Sequence, residues 1–307
     1  MNKNSRIYIA GHCGLIGSAI LRLLKRCGYG NIITRAHREL DLTDRKKAEV
    51  FFKAQRPEYV FLAAARVGGI YANNAYPAEF IYQNLMIQTN VIDLSYKYKA
   101  KKLLFLASSC IYPIGCKQPM KEELLLTGLL EPTNEPFAIA KLAGIKMCQF
   151  YRRQYKMNFI SVIPANVYGI NDHLGKDAHV VSSLMSKFYT AKKNADIQVV
   201  VWGSGKPKRE FLYVDDLANA CLFLMQHYDS AEAINVGAGR ETSIKELSLM
   251  LKRITGFTGK ITFDSSKPDG NLRRFLDSSR INALGWKART GLQKGLALTY
   301  EWYKRKS

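Results

Sequence analysis

The chain has 307 residues, of which 47% are hydrophobic and 23% charged, a composition typical of a folded globular protein. The apolar run after Lys3 and Arg6 ends at Gly11, so we predict neither a signal peptide nor a membrane span. The 6 cysteines are scattered without a CxxC pair or zinc-ligand spacing, so we expect free thiols, a cytoplasmic location and no metal site.

The formal net charge of +21 raises the question of a nucleic-acid partner. The longest basic clusters, residues 97–102 and 303–306, are short, and most lysines stand singly on polar helix faces. This favours solvated faces over a DNA- or RNA-binding surface. A basic field also suits an anionic sugar nucleotide and a phosphorylated dinucleotide.

The first motif in chain order is a glycine triplet. The apolar segment 6–10 leads into Gly11, Gly14 and Gly17, which open an amphipathic helix that runs to about Cys27. Glycines at this spacing permit a tight turn, close approach of the backbone to a pyrophosphate and close helix–strand packing. Because the triplet follows a strand and opens a helix, it predicts a dinucleotide-binding loop.

The second predicted strand, residues 31–35, ends without the acidic residue that would hold an adenosine ribose 2′-hydroxyl. Arg35, His37 and Arg38 stand there instead. Cations at this point suit a 2′-phosphate, so NADP is preferred to NAD. The alternative is that these are ordinary loop charges.

The rest of the first half alternates strands with long helices. Strands are predicted at 60–65, 102–107 and 159–163, and long helices at 78–98 and 135–155. This alternation predicts an α/β fold with a doubly wound parallel sheet.

After Pro164 the pattern loosens into short strands and helices, which predicts a smaller, interleaved α/β substrate domain beside a cleft. The dinucleotide-binding Rossmann domain is placed in residues 1–166, with a return segment at about 212–238. The substrate domain is placed in residues 167–211 and 239–307.

The segment that leads into the second long helix has the features of a helix start. Asn134 is predicted to be its N-cap, and Pro136 suits the first turn because no N–H is needed there. Phe137 and Lys141 then share one helical face. In oxidoreductases with a Tyr-x-x-x-Lys pair, such a face carries a phenol that transfers a proton and a lysine that lowers its pKa. Here the first position is Phe, which has no hydroxyl.

Ser108, Ser109 and Cys110 directly follow the fourth predicted strand, at the sheet edge where doubly wound folds bind ligands. A serine there can hydrogen-bond a carbonyl, but two successive serines could equally be turn or cap residues. With Lys141 downstream and the glycine loop upstream, the arrangement resembles that of an extended short-chain dehydrogenase/reductase.

The sequence resembles the GDP-L-fucose synthase family of extended short-chain dehydrogenase/reductases over nearly its whole length. The matching segments are Ala10-Gly-His12, Ala63-Ala-Ala-Arg-Val-Gly-Gly-Ile70, Ala72-Asn-Asn74, Ser108-Ser-Cys-Ile-Tyr-Pro113, Gln118-Pro-Met120, Leu130-Glu-Pro-Thr-Asn-Glu-Pro136, Ala140-Lys-Leu-Ala-Gly-Ile-Lys146, Val201-Trp-Gly-Ser-Gly205, Arg209-Glu-Phe211, Val214-Asp-Asp216, Ile234-Asn-Val-Gly237 and Lys267-Pro-Asp-Gly270. The resemblance implies NADP(H) as cofactor and a GDP-linked 4-keto sugar as substrate, reduced at C4 and epimerised at C3 and C5. It also implies a homodimer through a four-helix interface.

The resemblance also implies roles for single residues. Ser108, Phe137 and Lys141 match catalytic positions, and Cys110 and His179 match the pair that exchanges protons during epimerisation. The implied cofactor contacts are Gly11, Gly14, Leu15, Ile16, Gly17, Arg35, His37, Arg38, Asp41, Leu42, Ala64, Lys141, Pro164, Asn166, Val167 and His179. The implied substrate contacts are Ser108, Ser109, Cys110, Asn166, Lys187, Trp202, Arg209, Lys267 and Asp269. The alternatives are a buried structural thiol at Cys110 and a merely exposed imidazole at His179.

Some positions depart from the family pattern. Cys13 and His37 stand where relatives often have an Arg for the 2′-phosphate, so Arg35 or Arg38 is expected to substitute. Lys187 keeps the charge of the usual Arg but loses its bidentate fork.

The segments expected to meet the sugar also differ from the common bacterial form. Leu272 replaces a usual Pro, and residues 114–116 and 170–171 differ from the residues common in the bacterial family members. These differences keep open a related GDP-4-keto sugar such as a heptose. One alternative is therefore a C4 reductase of an already epimerised heptose in surface-polysaccharide synthesis.

Phe137 is the largest departure, because removal of a positioned proton donor typically costs about 10²–10⁴ in rate. Three explanations are open: an engineered Tyr→Phe change, a natural enzyme that uses another acid such as Tyr112 or a water, and a non-catalytic sugar-nucleotide-binding homologue. Because the other catalytic positions are retained, we favour the first and expect a low-activity form.

Overall fold

The computed structural model of the protein describes residues 1–175, 178–267 and 269–306. Its strands are β1 (Ile7–Ala10), β2 (Ile32–Ile33), β3 (Tyr59–Leu62), β4 (Lys102–Leu106), β5 (Asn158–Pro164), β6 (Asn166–Tyr168), β7 (Gln198–Trp202), β8 (Lys208–Tyr213), β9 (Ile234–Val236), β10 (Glu241–Ser243), β11 (Lys260–Asp264) and β12 (Arg273–Arg274). Its α-helices are α1 (Leu15–Arg26), α2 (Arg45–Gln55), α3 (Ile70–Ala75), α4 (Pro77–Lys97), α5 (Glu135–Tyr155), α6 (Val180–Lys193), α7 (Val214–His227), α8 (Ile244–Thr255), α9 (Ser279–Ala283) and α10 (Leu292–Lys304).

The central sheet is parallel, with strand order β2-β1-β3-β4-β5-β9. Its inner strands are almost entirely apolar and buried, as expected when helices cover both faces of a sheet. The chain leaves β1 in one direction to β2 and returns on the other side to β3, which places a topological switch point between β1 and β3. The predicted doubly wound parallel sheet is therefore confirmed.

Two strands end at least two residues earlier than the sequence predicts. β2 covers only two residues, and the exposed Arg35 beyond it donates from Nη1 to the carbonyl oxygen of Thr34 at 2.8 Å. β3 ends at Leu62, because the backbone of Ala64 packs against Gly11 instead of continuing the strand.

Helix α5 has the predicted bounds, but Asn134 does not cap it through its side chain. Asn134 has φ −140° and ψ 17°, whereas a capping residue is typically extended so that its side chain reaches the N–H groups of the first turn. Its Oδ1 is buried without a hydrogen-bond partner. The predicted side-chain cap is thus wrong, while Pro136 lies in the first turn as expected.

The second half of the chain forms a smaller layer of short sheets. β8 pairs with β6, β10 and β12, while β7 pairs with β11. A second hydrophobic cluster lies here, formed by side chains from α6, α8, α10 and the short strands. Leu276, Ile281 and Trp286 pack instead into the cluster around the central sheet. The two-domain division at residues 166, 211 and 238 remains a prediction.

Candidate active site

The glycine loop joins β1 to α1 at the carboxyl edge of the sheet. Gly11 has φ +86°, and a Cβ there would lie 2.7 Å from the backbone of Ala64. A Cβ on Gly17 would lie 2.1 Å from the carbonyl oxygen of Gly11. Both positions therefore exclude a side chain. A Cβ on Gly14 would lie at an ordinary 3.6 Å from that same oxygen, so packing within the chain does not require glycine there.

No side chain caps the N–H groups at the start of α1, which follows this loop. Gly14 is its N-cap and provides no side-chain hydrogen bond to the first turn, which begins with Leu15 and Ile16. The N–H groups of a first turn carry partial positive charge and bind phosphates readily. The loop thus has the backbone geometry of a diphosphate site, and glycine at position 14 leaves room for a group from outside the chain.

Beyond β2, three cationic or ionisable side chains lie on an exposed turn. They are Arg35, His37 and Arg38, and the His37 side chain is 84% exposed. The Arg35 guanidinium also lies 5.8 Å from the centre of the Phe51 ring, which fixes it near the sheet edge. The turn can therefore present positive charge to an anion at this edge.

Asp41 and Leu42 lie in the loop that follows this turn and leads to α2. The Asp41 carboxylate accepts hydrogen bonds from the Thr43 N–H at 2.9 Å and the Thr43 hydroxyl at 2.8 Å. Leu42 is buried, and its carbonyl oxygen accepts a hydrogen bond from the Asn90 amide at 2.8 Å. These contacts shape the loop between β2 and α2.

A short 3₁₀ turn follows β4 and carries Ser108, Ser109 and Cys110. Ser108 Oγ accepts a hydrogen bond from the Cys110 N–H at 3.5 Å, and Ser109 and Cys110 are buried. Burial raises the pKa of the Cys110 thiol, whereas the Ser108 hydroxyl and the charges of Arg274 and Lys141 lower it. The thiolate therefore depends on the two neighbouring cations.

Lys141 lies one helical turn after Phe137, on the face of α5 that meets β4. Its Nζ donates to the carbonyl oxygen of Leu106 at 2.8 Å. The ammonium lies 5.6 Å from the centre of the Phe137 ring and 4.8 Å from that of Phe105. Burial lowers the pKa of Lys141 to about 8, against a smaller opposing effect of Cys110.

The hydroxyl of Tyr112, an alternative proton donor, is buried in a hydrogen-bond network with Asn235. Tyr112 is 2% exposed, and its hydroxyl donates to Asn235 Oδ1 at 2.7 Å. The Asn235 amide in turn donates to the carbonyls of Met120 at 2.9 Å and Asp277 at 3.1 Å. Burial raises the pKa of Tyr112 well above its ordinary range. This geometry argues against Tyr112 as the proton donor.

His179 precedes α6 and has a carboxylate partner. Its Nδ1 lies 3.7 Å from Asp172 Oδ1, and the interaction with Asp172 raises the pKa of the imidazole despite partial burial. Asp172 is buried and is held by the Ser182 hydroxyl at 2.5 Å and the His173 N–H at 2.8 Å. Asp172 is a residue that the sequence reasoning missed, since its role depends on a contact across a loop. A carboxylate–imidazole pair of this kind suits proton exchange.

Arg209 on β8 lies beside Arg274 on β12, because the two strands pair in that register. Burial and the charge of Arg274 lower the pKa of Arg209 to about 10, while Asp269 acts in the opposite sense. Two partly buried guanidiniums held together favour an anion between them.

Sequence reasoning missed Arg274, and the available signal was ambiguous. Arg273 and Arg274 are adjacent, but successive strand residues face opposite sides. Arg273 makes a bidentate ion pair with Glu241 at 2.6 Å, whereas the charge of Arg274 acts on Cys110 and Arg209. Only the pairing of β12 with β8 shows which of the two arginines lies beside Arg209.

An exposed indole lies farther out, between two lysines. Trp202 is 65% exposed, and its ring centre lies 5.3 Å from Lys187 Nζ and 5.8 Å from Lys267 Nζ. Asp269 accepts hydrogen bonds from the Ser204 N–H at 2.6 Å and hydroxyl at 2.7 Å, which closes the neighbouring loop. The indole offers a stacking surface flanked by positive charge.

Asn166 and Val167 are the first two residues of β6, which starts after Ala165, the residue that follows the end of β5 at Pro164. The Asn166 amide donates to the carbonyl oxygen of Glu210 on β8 at 2.9 Å. This contact ties the end of the central sheet to the strand that carries Arg209.

Glu210 is another residue that sequence reasoning left without a role. It is 1% exposed, and its carboxylate accepts from the Gly239 N–H at 2.7 Å and the Leu276 N–H at 3.1 Å. Burial raises the pKa of Glu210 to about 6. The signal was a single acid between Arg209 and the three apolar or aromatic residues that end the strand. Glu210 fixes the strand of Arg209 against the loop after β9 and the segment after β12.

A profile of the NAD dependent epimerase/dehydratase family matches residues 7–237. The chain belongs to this family. Among its members, GDP-L-fucose synthase 1 of Arabidopsis thaliana is 52% identical over 303 residues, which cover 98% of this chain and 94% of the relative. GDP-L-fucose synthase of Escherichia coli (strain K12) is 47% identical over 311 residues, which cover 98% and 97%.

The fold of this epimerase/dehydratase chain is also similar to a solved structure described as GDP-mannoheptose C4 reductase from Campylobacter jejuni with NADP bound. That structure is 41% identical, has a TM-score of 0.92 and matches 99% of each chain. No helix within residues 1–175, 178–267 and 269–306 combines the length and hydropathy needed to cross a membrane. Within the same part of the chain, His, Cys, Asp and Glu side chains form no group of three suited to a metal ion.

Proposed function

We propose that this chain is an NADPH-dependent C4 reductase of a GDP-linked 4-keto sugar that also epimerises C3 and C5. Its similarity to proteins named GDP-L-fucose synthase supports this proposal. The observation that carries the proposal is the gathering of Ser108, Cys110 and Lys141 at the carboxyl end of β4. These groups supply a hydroxyl, a thiol and an ammonium to one carbonyl-binding position.

NADP(H) fits the glycine loop and the edge beyond β2. Gly14 leaves the first turn of α1 open to a pyrophosphate, and Arg35 and Arg38 can meet a 2′-phosphate. When bound, NADPH supplies the hydride that reduces C4. Lys141 would hold the nicotinamide ribose, and Ser108 would hold the C4 oxygen by a hydrogen bond as negative charge develops there.

For epimerisation, Cys110 and His179 exchange protons at carbons made acidic by the adjacent ketone. Burial raises the pKa of Cys110, and the charges of Arg274 and Lys141 offset part of that rise, which helps the thiolate that removes a proton to form. Asp172 favours the imidazolium of His179 that returns one. The environment of His179 therefore suits an acid, whereas Cys110 relies on its two neighbouring cations to offset its burial when it acts as the base.

The nucleotide diphosphate is assigned to Arg209 and Arg274, whose mutual repulsion an anion relieves. Trp202, between Lys187 and Lys267, offers a surface for the remaining part of the sugar nucleotide.

Deuterium exchange tests the epimerase part without any need for a hydroxyl at 137. The chain is incubated in D₂O with GDP-4-keto-6-deoxymannose and no NADPH, and C3 and C5 are examined by NMR. We expect deuterium at both positions, and a loss of about 10²-fold or more in Cys110→Ala, because a positioned base contributes about that much. Exchange in Cys110→Ala at the native rate contradicts the role of Cys110.

A second candidate is a C4 reductase of an already epimerised GDP-4-keto-heptose. It is favoured by the likeness to the Campylobacter jejuni heptose reductase and by Leu272, which is 71% exposed in the segment that departs from the family pattern. This candidate predicts no exchange at C3 and C5. Turnover of hexose and heptose substrates by the Phe137→Tyr variant separates the two.

The candidate of another class is a non-catalytic sugar-nucleotide-binding protein, for which Phe137 is the observation. It predicts binding of the GDP-sugar without exchange and without turnover, even in the Phe137→Tyr variant.

Tyr112→Phe tests whether Tyr112 replaces the missing acid. We expect the turnover rate to stay within about twofold, because the Tyr112 hydroxyl is committed to Asn235. The free energy of unfolding should fall by about 1–3 kcal/mol, because Asn235 Oδ1 loses a buried hydrogen bond. Urea unfolding and NADPH oxidation measure the two effects. A large loss of turnover in a stably folded variant means that Tyr112 is the acid.

We also propose a cytoplasmic homodimer that pairs α4 and α5 of each copy in a four-helix interface. Large side chains are exposed on these helices: Tyr82, Phe150 and Tyr155 are 62%, 50% and 41% exposed. Light scattering after size-exclusion chromatography measures the mass, and a concentration-independent monomer contradicts the dimer.

A further inference from the structure

Reduction of a ketone at C4 requires a group that gives a proton to the C4 oxygen. A phenol would supply it at position 137, but Phe137 has none. The Tyr112 hydroxyl donates its hydrogen bond to Asn235 Oδ1 instead. Lys141 lies beside the Phe137 ring and carries spare N–H donors, since an ammonium has three and Leu106 accepts one at 2.8 Å.

The surroundings of Lys141 make it a better acid than an ordinary lysine. The side chain is 4% exposed and lies against the rings of Phe105 and Phe137. Burial lowers the pKa of Lys141 to about 8, so its ammonium gives up a proton more readily yet stays largely protonated at neutral pH. An acid is most effective when its pKa lies near the working pH.

The charged and titratable groups around Lys141 are few within the part of the chain that the structure describes. The turn after β4 presents Cys110, whose charge raises the pKa of Lys141. Arg274 acts on Cys110 from β12. Helix α4 meets this part of α5 through the neutral amide of Gln88, which donates to the carbonyl oxygen of Ala140 at 2.6 Å. Loss of a proton from Lys141 is therefore not opposed by a paired carboxylate.

We propose that in this chain Lys141 is the general acid that protonates the C4 oxygen during reduction, in place of the hydroxyl that Phe137 lacks. This proposal rests on the proposed function. The hydride would come from a C–H bond of NADPH, which would thereby be oxidised to NADP⁺. As the new C–H bond forms at C4, the carbonyl π pair moves onto the oxygen, an O–H bond forms there and an N–H bond of Lys141 breaks. The neutral amine then takes a proton from water, which restores the ammonium.

The test uses the full chain in single-turnover reactions with enzyme in excess, so that slow rates are measurable. Lys141→Ala is expected to lower the rate of NADPH oxidation by about 10²-fold or more. Added methylammonium should restore part of that rate. Tetramethylammonium is the matched control, because it carries the same charge but has no N–H to donate, and it should restore none.

Binding of NADPH to each variant, followed by its fluorescence, shows that a lost rate is not a lost cofactor. If Lys141→Ala does not fold, Lys141→Met keeps the buried aliphatic chain and should show the same loss. A native rate in a lysine variant overturns the proposal, and so does equal rescue by the two ammonium ions or rescue by neither.

The outcome is distinguishable from failure of the proposed function. If Phe137→Tyr reduces the substrate but loss of Lys141 does not slow the native chain, or the native chain has no activity to lose, only the proton-donor role of Lys141 fails. If Phe137→Tyr also gives no reduction of either sugar, the proposed function fails and this inference fails with it.

Discussion

Phe137→Tyr is expected to raise the rate of NADPH-dependent reduction by about 10²–10⁴-fold. This corresponds to about 3–5 kcal/mol of transition-state stabilisation. The added hydroxyl would extend from a ring whose centre already lies 5.6 Å from Lys141 Nζ, so the lysine charge can lower the pKa of the phenol. Stopped-flow measurement of NADPH oxidation in native and variant chains gives the ratio directly.

Phe150→Tyr is the matched control. It adds the same hydroxyl to a half-exposed ring on the same helix, but far along α5 from Lys141, so the rate should not change. If Phe137→Tyr is no faster than the native chain, the missing phenol alone does not explain the low activity. A non-catalytic binding protein then becomes the better description.

Gly17→Ala is expected to abolish NADPH binding, with a loss of affinity of at least about 100-fold, or roughly 3 kcal/mol. The new Cβ would lie 2.1 Å from the carbonyl oxygen of Gly11, and neither backbone segment can yield without moving the loop. Overpacking of this kind typically also costs about 1–3 kcal/mol of stability. Fluorescence titration with NADPH and thermal unfolding measure the two effects.

Two further alanine variants separate cofactor contact from packing. Gly14→Ala places its Cβ 3.6 Å from the nearest chain atom, so stability should be unchanged while NADPH binding weakens by about tenfold, or about 1.4 kcal/mol. Gly30→Ala meets nothing within 4 Å and should leave both quantities unchanged. Native affinity in Gly14→Ala would mean that no pyrophosphate approaches this backbone.

The parts of the fold and site that the sequence predicted depend on short-range patterns. Apolar strands followed by amphipathic helices identify a parallel sheet whatever the later packing, and a strand–glycine–helix segment marks its phosphate loop. The bounds of α5 followed from its composition. The side-chain cap at Asn134 did not, because the preceding turn fixes its backbone outside the capping conformation.

The sequence alone determined that Phe137 and Lys141 share a helical face and that the chain lacks the expected phenol, since four-residue spacing in a helix fixes such a relation. Only the tertiary structure decided which groups remain available to the site. The Tyr112 hydroxyl is not available as a proton donor, because it donates a hydrogen bond to Asn235, 123 residues away in sequence. Arg274 and Asp172 enter through strand register and a loop contact. Burial, which no local pattern specifies, gives Lys141 the lowered pKa that makes it a candidate acid.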